Sequence, residues 1–119
     1  MTRTLGASLI VAMVVGCLML SGMSAVAQGG PVIRGVETHW SPTSVRVARG
    51  TTVRWRGVTQ LHNVTAYGGN WSFSRPLPAG SVVRLRFRVA GTFLFRCTLH
   101  STLTNGTCSG MCGRVVVRP

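Results

Sequence analysis

The sequence predicts an all-β fold, a sandwich of seven to eight short strands. Glycine and proline recur at short intervals after residue 30, and the runs of four to eight residues between them are rich in Val, Thr, Phe and Trp. Such runs, bounded by turn residues, are typical of β-strands. No stretch of useful length has the apolar period of a helix. The sequence therefore favours two packed sheets.

Several of these runs alternate arginine with apolar residues. Every arginine in residues 83–89 falls on one parity and every apolar side chain on the other, and residues 53–56 and 45–47 follow the same rule. Because successive side chains of a strand point to opposite faces, this pattern is typical of antiparallel strands with one buried and one solvated face. Most of the arginines are therefore expected to form a solvated sheet face.

The charge of the chain narrows the classes of partner. The 119 residues include thirteen basic residues, all arginine, and one acid, Glu37, for a formal net charge of +12. Such an excess suits nucleic acid, an anionic surface or an acidic protein partner. Nucleic-acid binders usually gather their charge in a stripe or a tail. Here the arginines are spread one at a time along the chain, which argues against nucleic-acid binding.

The first 27 residues are predicted to be an export signal that is not part of the fold. Arg3 supplies a positive start, residues 5–27 carry no charge, and residues 25–27, Ala-Val-Ala, have the small-x-small pattern of a cleavage site. We therefore expect one domain, residues 28–119, exported to the periplasm, the cell surface or the medium.

Two alternatives to cleavage stay open. The uncharged run is long enough to span a bilayer if it is retained. Residues 14–17, Val-Val-Gly-Cys, are similar to a bacterial lipobox, which would leave Cys17 lipidated as the new N-terminus. Either route would attach the protein to a membrane. The apolar stretch continues well past Cys17, which favours the cleavage after Ala27.

Cleavage would leave an odd number of cysteines, namely Cys97, Cys108 and Cys112. An oxidising compartment favours disulfides, and an odd count leaves one thiol over. Metal ligation would be a reason to keep that thiol. Cys97 shares its parity with Phe93 and Phe95 on one predicted strand, so we expect its thiol to face the core.

Cys97 belongs to a set of soft metal ligands. His100 follows it after three residues, Met111 lies further on, and His62 stands far upstream. Two His and one Cys in a near-trigonal plane, with a weak axial Met, form the blue-copper arrangement. Each residue alone is more often an ordinary surface or core side chain. In combination they predict one copper ion held by these four ligands.

Further segments around these ligands complete a family pattern. In chain order they are Trp40-Ser41-Pro42, Val45 to Trp55, His62-Asn63-Val64, Leu77 to Gly80, Gly91-Thr92-Phe93 through Cys97-Thr98-Leu99-His100, and Met111-Cys112-Gly113. With this pattern the chain resembles the plastocyanin-like cupredoxin family over nearly the whole length after residue 27. The resemblance implies a Greek-key β-sandwich, one type 1 copper ion and the same four ligands.

The resemblance also implies roles for residues around the metal. Asn63 would tie its loop to the backbone near Thr98 and so hold the two ligand loops together. The first ligand, His62, would be largely buried. His100 would reach the surface and serve as the electron exit, and Leu99 beside it is a candidate for an apolar docking patch.

The chain departs from the family between His100 and Met111. Ten residues separate them, more than in the shortest members, and the insertion brings Cys108 and Cys112. We predict a disulfide between these two, which leaves Cys97 free for copper. Two alternatives stay open: one of the pair replaces Met111 as axial ligand, or both join Cys97 and His100 in a zinc site. The spacing matches no common zinc module.

Four protein ligands leave no open position for a substrate. We therefore predict one-electron transfer through Cu(I)/Cu(II) and no enzymatic activity. The positive charge is expected to steer the protein, a monomer, toward an acidic redox partner. The alternative is an exported copper-binding protein for delivery or resistance. Such a carrier would have exchangeable Met- or His-rich ligands, whereas residues 28–119 contain one Met and three His.

Overall fold

The computed structural model describes residues 29–119, which form nine strands in two packed sheets. The strands are β1 (Val32–Val36), β2 (His39–Ser41), β3 (Ser44–Ala48), β4 (Thr51–Gly57), β5 (His62–Tyr67), β6 (Ser74–Leu77), β7 (Val82–Phe87), β8 (Gly91–Thr104) and β9 (Thr107–Arg118). The order β2-β1-β4-β7 makes a four-stranded sheet, called sheet A. The order β3-β9-β8-β5-β6 makes a five-stranded sheet, called sheet B.

The predicted all-β sandwich is confirmed. Within residues 29–119 no helix is long and apolar enough to cross a bilayer. The predicted export signal, its cleavage after Ala27 and the alternative lipidation of Cys17 lie outside the described residues.

The core lies between the two sheets and is centred on aromatic side chains. Trp40 from β2 and Trp55 from β4 each meet Phe95 of β8 edge-on, with ring centroids 5.4 and 5.3 Å apart. This edge-to-face arrangement is one that aromatic rings prefer. The three rings belong to a set of fifteen buried apolar side chains drawn from both sheets. In β7 the arginines are exposed while Phe87 is buried, as the alternation predicted.

The structure has more strands than the seven to eight predicted. Strand β2 has three residues, too few to produce a recognisable alternation. Strand β7 ends at Phe87, so the alternation predicted through Val89 continues two residues beyond the strand. Two strand pairs, β1 with β4 and β3 with β9, are parallel. Strand direction depends on which segments meet across the fold, and alternation carries no information about it.

The insertion between His100 and Met111 is a β-hairpin, which the sequence analysis did not predict. Its strands are the ends of β8 and β9, which pair from Ser101 with Gly110 to Thr104 with Thr107. The turn is Asn105-Gly106, with φ angles of 50° and 78°. Asn-Gly is a strong sequence signal for such a two-residue turn. We call residues 101–110 the hairpin arm.

Candidate metal centre

Three of the predicted ligands meet on the inner face of sheet B. His62 opens β5, and Cys97 and His100 lie in β8. The His62 Nδ1 and His100 Nδ1 atoms are 3.3 Å apart, and the Cys97 Sγ atom lies 3.5 Å from His100 Nδ1 and 3.8 Å from His62 Nδ1. A point in the plane of these three atoms lies about 2 Å from each, close to ordinary metal–imidazole and metal–thiolate bond lengths. We call these three atoms, His62 Nδ1, His100 Nδ1 and Cys97 Sγ, the donor triangle. Its size fits one metal ion.

An irregularity in the pairing of β8 with β9 makes the triangle possible. Arg96 pairs with Cys112 and Ser101 pairs with Gly110. Residues 97–100 on β8 thus stand opposite the single residue Met111 on β9. We call residues 97–100 the ligand loop. The extra length lets the chain turn, so that two side chains three positions apart point to one place.

A backbone carbonyl orients the buried ring of His62. The His62 Nε2 atom lies 2.7 Å from the Thr59 carbonyl oxygen, which can only accept a hydrogen bond. The proton must therefore be on Nε2, which leaves the Nδ1 lone pair facing the triangle. Burial lowers the pKa of His62 below its ordinary value, the Thr59 hydrogen bond opposes this, and His100 lowers it further. The neutral ring is the form that binds metal.

Gly35 lets sheet A approach the metal centre closely. A Cβ atom at this position would lie 2.9 Å from His62 Cδ2 and 3.2 Å from Trp40 Cζ3. The Gly35 carbonyl also accepts hydrogen bonds from the backbone of Val58, at 3.0 Å, and of Thr59, at 3.5 Å. The same residue thus makes room for the His62 ring and holds the loop whose carbonyl orients it.

Asn63 joins the two ligand-bearing segments. Its Nδ2 atom donates to Thr98 Oγ1 at 2.7 Å, and its Oδ1 atom accepts from the Thr98 backbone amide at 3.0 Å. Thr65 Oγ1 donates to the same Oδ1 atom at 2.8 Å. Residues 62 and 97–100 are therefore tied together by hydrogen bonds that do not involve a metal. This is the connection that the family resemblance implies.

Met111 is buried directly opposite the ligand loop. It has 1% of its surface exposed and lies on the inward parity of β9. Its carbonyl accepts a hydrogen bond from Trp40 Nε1 at 3.2 Å. These contacts fix the backbone of Met111 in the layer of the donor triangle. Its role as axial ligand stays a prediction.

Cys108 and Cys112 form a disulfide, with their Cα atoms 6.1 Å apart. The alternatives that assigned either residue to a metal are therefore wrong, because neither keeps a free thiolate. Cys97 is the free cysteine among the described residues and is fully buried. Between the paired cysteines, Gly110 has a φ of 97°, and a Cβ atom there would lie 2.5 Å from the His100 carbonyl oxygen. The bend in β9 therefore requires glycine.

Sequence reasoning missed a group of hydrogen bonds beneath the ligand loop. The Ser101 hydroxyl donates to the carbonyl of Cys97, and Arg96 Nη1 donates to Ser101 Oγ at 3.1 Å. These bonds close the loop at its base. Nothing in the sequence pattern could have revealed them, because they depend on the irregular register between β8 and β9.

The metal centre reaches the surface through His100. His62 and Cys97 are buried, whereas His100 is half-buried. The chain neighbours Leu61 and Leu99 are 55% and 56% exposed. An exposed leucine therefore precedes each of the two histidine ligands in the chain.

Comparison with known proteins identifies the class to which the chain belongs. No protein-family model and no curated protein matches the sequence. Solved structures do match, among them structures of amicyanin, a cupredoxin. The two-sheet sandwich and the His-Cys-His group, His62, Cys97 and His100, correspond to the fold and type 1 copper site of these proteins. The chain is a cupredoxin, as its motifs predicted.

Within this class the structure is similar to amicyanin. The reduced state of one amicyanin mutant aligns with 78% of this chain and 86% of its own, at 26% identity and a TM-score of 0.63. A second reduced mutant gives the same coverage and identity with a TM-score of 0.64. The Cu(I) form of a third, at pH 4, is 28% identical with a TM-score of 0.61.

Proposed function

We propose that the protein carries single electrons by cycling one type 1 copper ion between Cu(I) and Cu(II). The observation that carries this proposal is the donor triangle of two imidazole nitrogens and one buried thiolate. Thiolate and imidazole together select a soft, redox-active metal such as copper. Bound copper would supply the one-electron couple. Similarity to amicyanin structures, among them a Cu(I) form, supports the same metal.

The surroundings of the triangle suit electron transfer better than catalysis. The Thr59 carbonyl fixes the His62 ring, and the Asn63–Thr98 hydrogen bonds fix the distance between the two ligand segments. A site held in this way changes little between oxidation states, which keeps the reorganisation small. Because His62 and Cys97 are buried, little room is left for a substrate beside the metal. We therefore propose a carrier and no enzymatic activity.

We assign Met111 as the fourth, axial ligand. Its burial and its position opposite the ligand loop support this role. The disulfide removes its two chemical competitors, Cys108 and Cys112, from consideration. A thioether in the axial position binds weakly and tunes the reduction potential.

Electrons would enter and leave at His100. Exposed Leu99 precedes His100 in the chain, and exposed Leu61 precedes the other imidazole ligand, His62. We propose that these two leucines belong to an apolar surface on which a redox partner docks. We propose an acidic redox protein as partner, because the +12 charge of the chain would steer it over long range. The rate of electron transfer between the two proteins should fall as ionic strength rises.

The copper assignment is tested by colour. Residues 28–119 contain every strand of both sheets, and loading them with Cu(II) should produce an intense blue absorption. Cys97→Ser should abolish that absorption. The matched control is the double variant Cys108→Ser with Cys112→Ser, which should stay blue because neither residue is a ligand. A colourless copper complex of the wild-type protein would contradict the proposal.

We also propose that the chain is exported and that cleavage after Ala27 leaves a mature protein that starts at Gln28. The uncharged run of residues 5–27 and the Ala-Val-Ala sequence at 25–27 support this. N-terminal sequencing of the protein recovered from an expressing bacterium should begin at Gln28. A start at a lipidated Cys17, or at Met1, would replace this proposal with one of the two membrane-attached forms.

A further inference from the structure

The outer surface of sheet A carries a continuous field of arginines. Strand register places Arg34 beside Arg56, and Arg54 beside Arg84. Arg56 and Arg54 are alternate residues of β4, and Arg84 and Arg86 are alternate residues of β7. Strands lie about 4.8 Å apart and alternate residues about 6.7 Å, so each of the five backbone positions is within about 7 Å of the next. We call these five residues the arginine face.

Little within the chain neutralises this surface. Glu37 is the one acid among 119 residues, so almost no carboxylate side chain is available to pair with the arginines. Arg34, Arg56 and Arg84 are exposed. Like charges directly opposite each other on a sheet destabilise the pairing. The arrangement therefore has a cost to folding that an external anion would relieve.

The N-terminal segment leaves the domain at the arginine face. Arg54 Nη2 donates to the carbonyls of Gly29, at 3.1 Å, and of Gly30, at 3.0 Å. The uncharged run of residues 5–27 ends two positions before Gly29 in the sequence. The predicted export signal is therefore joined to the domain on the side of the arginine face.

We propose that the arginine face binds the anionic phospholipid headgroups of a membrane surface. A guanidinium group matches the geometry of a phosphate and can bond it through two N–H groups. A sheet presents its side chains in a broad layer, which suits a surface of many phosphates. Each basic residue near an anionic bilayer raises membrane partitioning about fivefold.

The geometry favours a membrane over the other anionic partners. The five arginines lie on the face of a sheet, whereas a protein that reads the major groove of DNA inserts a helix or a two-stranded ribbon into it. An acidic redox protein is expected at His100, which belongs to sheet B. Membrane contact through sheet A would leave that site open to the partner. The carrier would then diffuse along the membrane and exchange electrons at the same time.

Vesicle co-sedimentation of residues 28–119 tests the proposal without the apolar N-terminal run. Wild-type protein should bind vesicles of phosphatidylcholine with about 30% phosphatidylglycerol at low ionic strength, and should not bind phosphatidylcholine alone. The variant Arg34→Gln with Arg56→Gln and Arg84→Gln removes one arginine from each strand of the face. Its partition coefficient should fall about a hundredfold.

The matched control removes the same charge from sheet B. Arg46→Gln, Arg75→Gln and Arg118→Gln change one exposed arginine each in β3, β6 and β9. The partition coefficient of this control variant should fall by less than about tenfold, since the substitutions weaken only the long-range attraction to the vesicle. Equal losses in the two triple variants would overturn the proposal.

Two further results would also overturn it. One is an absence of phosphatidylglycerol-dependent binding by the wild-type protein. The other is binding of a short DNA duplex, lost in the sheet A variant, by a protein that does not bind the vesicles, because that would assign the face to nucleic acid. All measurements are made on copper-free protein, so their outcome is independent of the proposed electron transfer.

Discussion

The two sheets of this sandwich use the same alternation of side chains for opposite purposes. On the inner face of sheet B, His62 and Cys97 are withdrawn from water and tied to neighbouring backbone and side chains. On the outer face of sheet A, arginines stand close together in water with almost no acidic side chains in the chain to balance them. The inner face of sheet B is specific because several contacts fix the position of each ligand. The outer face of sheet A acts through the summed charge of its arginines.

This contrast determines how each region should respond to mutation. A buried site held by hydrogen bonds and close packing should fail sharply when one contact is removed, because the remaining groups cannot adjust. A charged face should change gradually, residue by residue, and in a way that salt screens. Three substitutions test this difference, ordered here from the largest expected effect to the smallest.

The strongest effect is expected from Gly110→Ala, at the bend of β9. The new methyl group would meet the His100 carbonyl oxygen, and the residue would have to keep a φ of 97°. Backbone strain and the clash together should lower the free energy of unfolding by about 3 kcal/mol, as measured by urea unfolding. The copper-loaded protein should also lose its blue absorption, since the ligand loop must move.

Gly106→Ala at the tip of the hairpin arm is the matched control. Its φ of 78° is similar, but a Cβ atom there has nothing within 4 Å. Gly106→Ala should lower the free energy of unfolding by about 1 kcal/mol and leave the blue absorption of the copper-loaded protein unchanged. Equal effects of the two substitutions would show that backbone strain alone matters and that the contact with His100 does not.

An intermediate effect is expected from Asn63→Ala, which cuts the connection between the ligand segments. Loss of the bonds to Thr98 should lower the free energy of unfolding by about 2 kcal/mol. It should also shift the reduction potential, measured by voltammetry. Asn70→Ala removes one exposed hydrogen bond, from Nδ2 to the Thr92 carbonyl at 2.9 Å, and should leave the potential unchanged. A shift of equal size in both variants would contradict a specific role for Asn63.

The smallest change in the free energy of unfolding is expected in sheet A, where the substitution should stabilise the protein. Arg84→Gln removes the charge directly across from Arg54 and should stabilise the protein by about 0.5 kcal/mol at low ionic strength. The gain should shrink in high salt, since the Arg84 side chain is exposed to screening while Arg54 is half-buried. Arg118→Gln, at the end of β9, provides the comparison. If both substitutions stabilise equally, net charge and not the arginine face is responsible.

The sequence was sufficient to predict the fold class and the three residues of the donor triangle. The parity of Cys97 with Phe93 and Phe95 placed its thiol in the core, and the structure confirms that burial. His62 and His100 were predicted from residue type and family pattern, and both converge with Cys97. Such features are encoded locally, in alternation and short spacings, so they can be read without knowledge of the tertiary structure.

The hairpin arm lay within reach of sequence analysis but was missed. Asn105-Gly106, between Ser-Thr-Leu-Thr and Thr-Cys-Ser, is the sequence signal of a tight turn between two strands. The number of strands was underestimated for a different reason. A three-residue strand such as β2 exists only because Trp40 packs in the core and β1 lies beside it.

By itself the sequence determined which residues face inward, which carry charge and which can bind a soft metal. Only the tertiary structure decided that Arg54 lies beside Arg84, that the Thr59 carbonyl orients His62, and that residues 97–100 stand opposite Met111. The physical reason is the range of the interactions. Alternation and turn chemistry act between neighbours along the chain, whereas register, close approach and charge clustering arise between segments that only folding brings together.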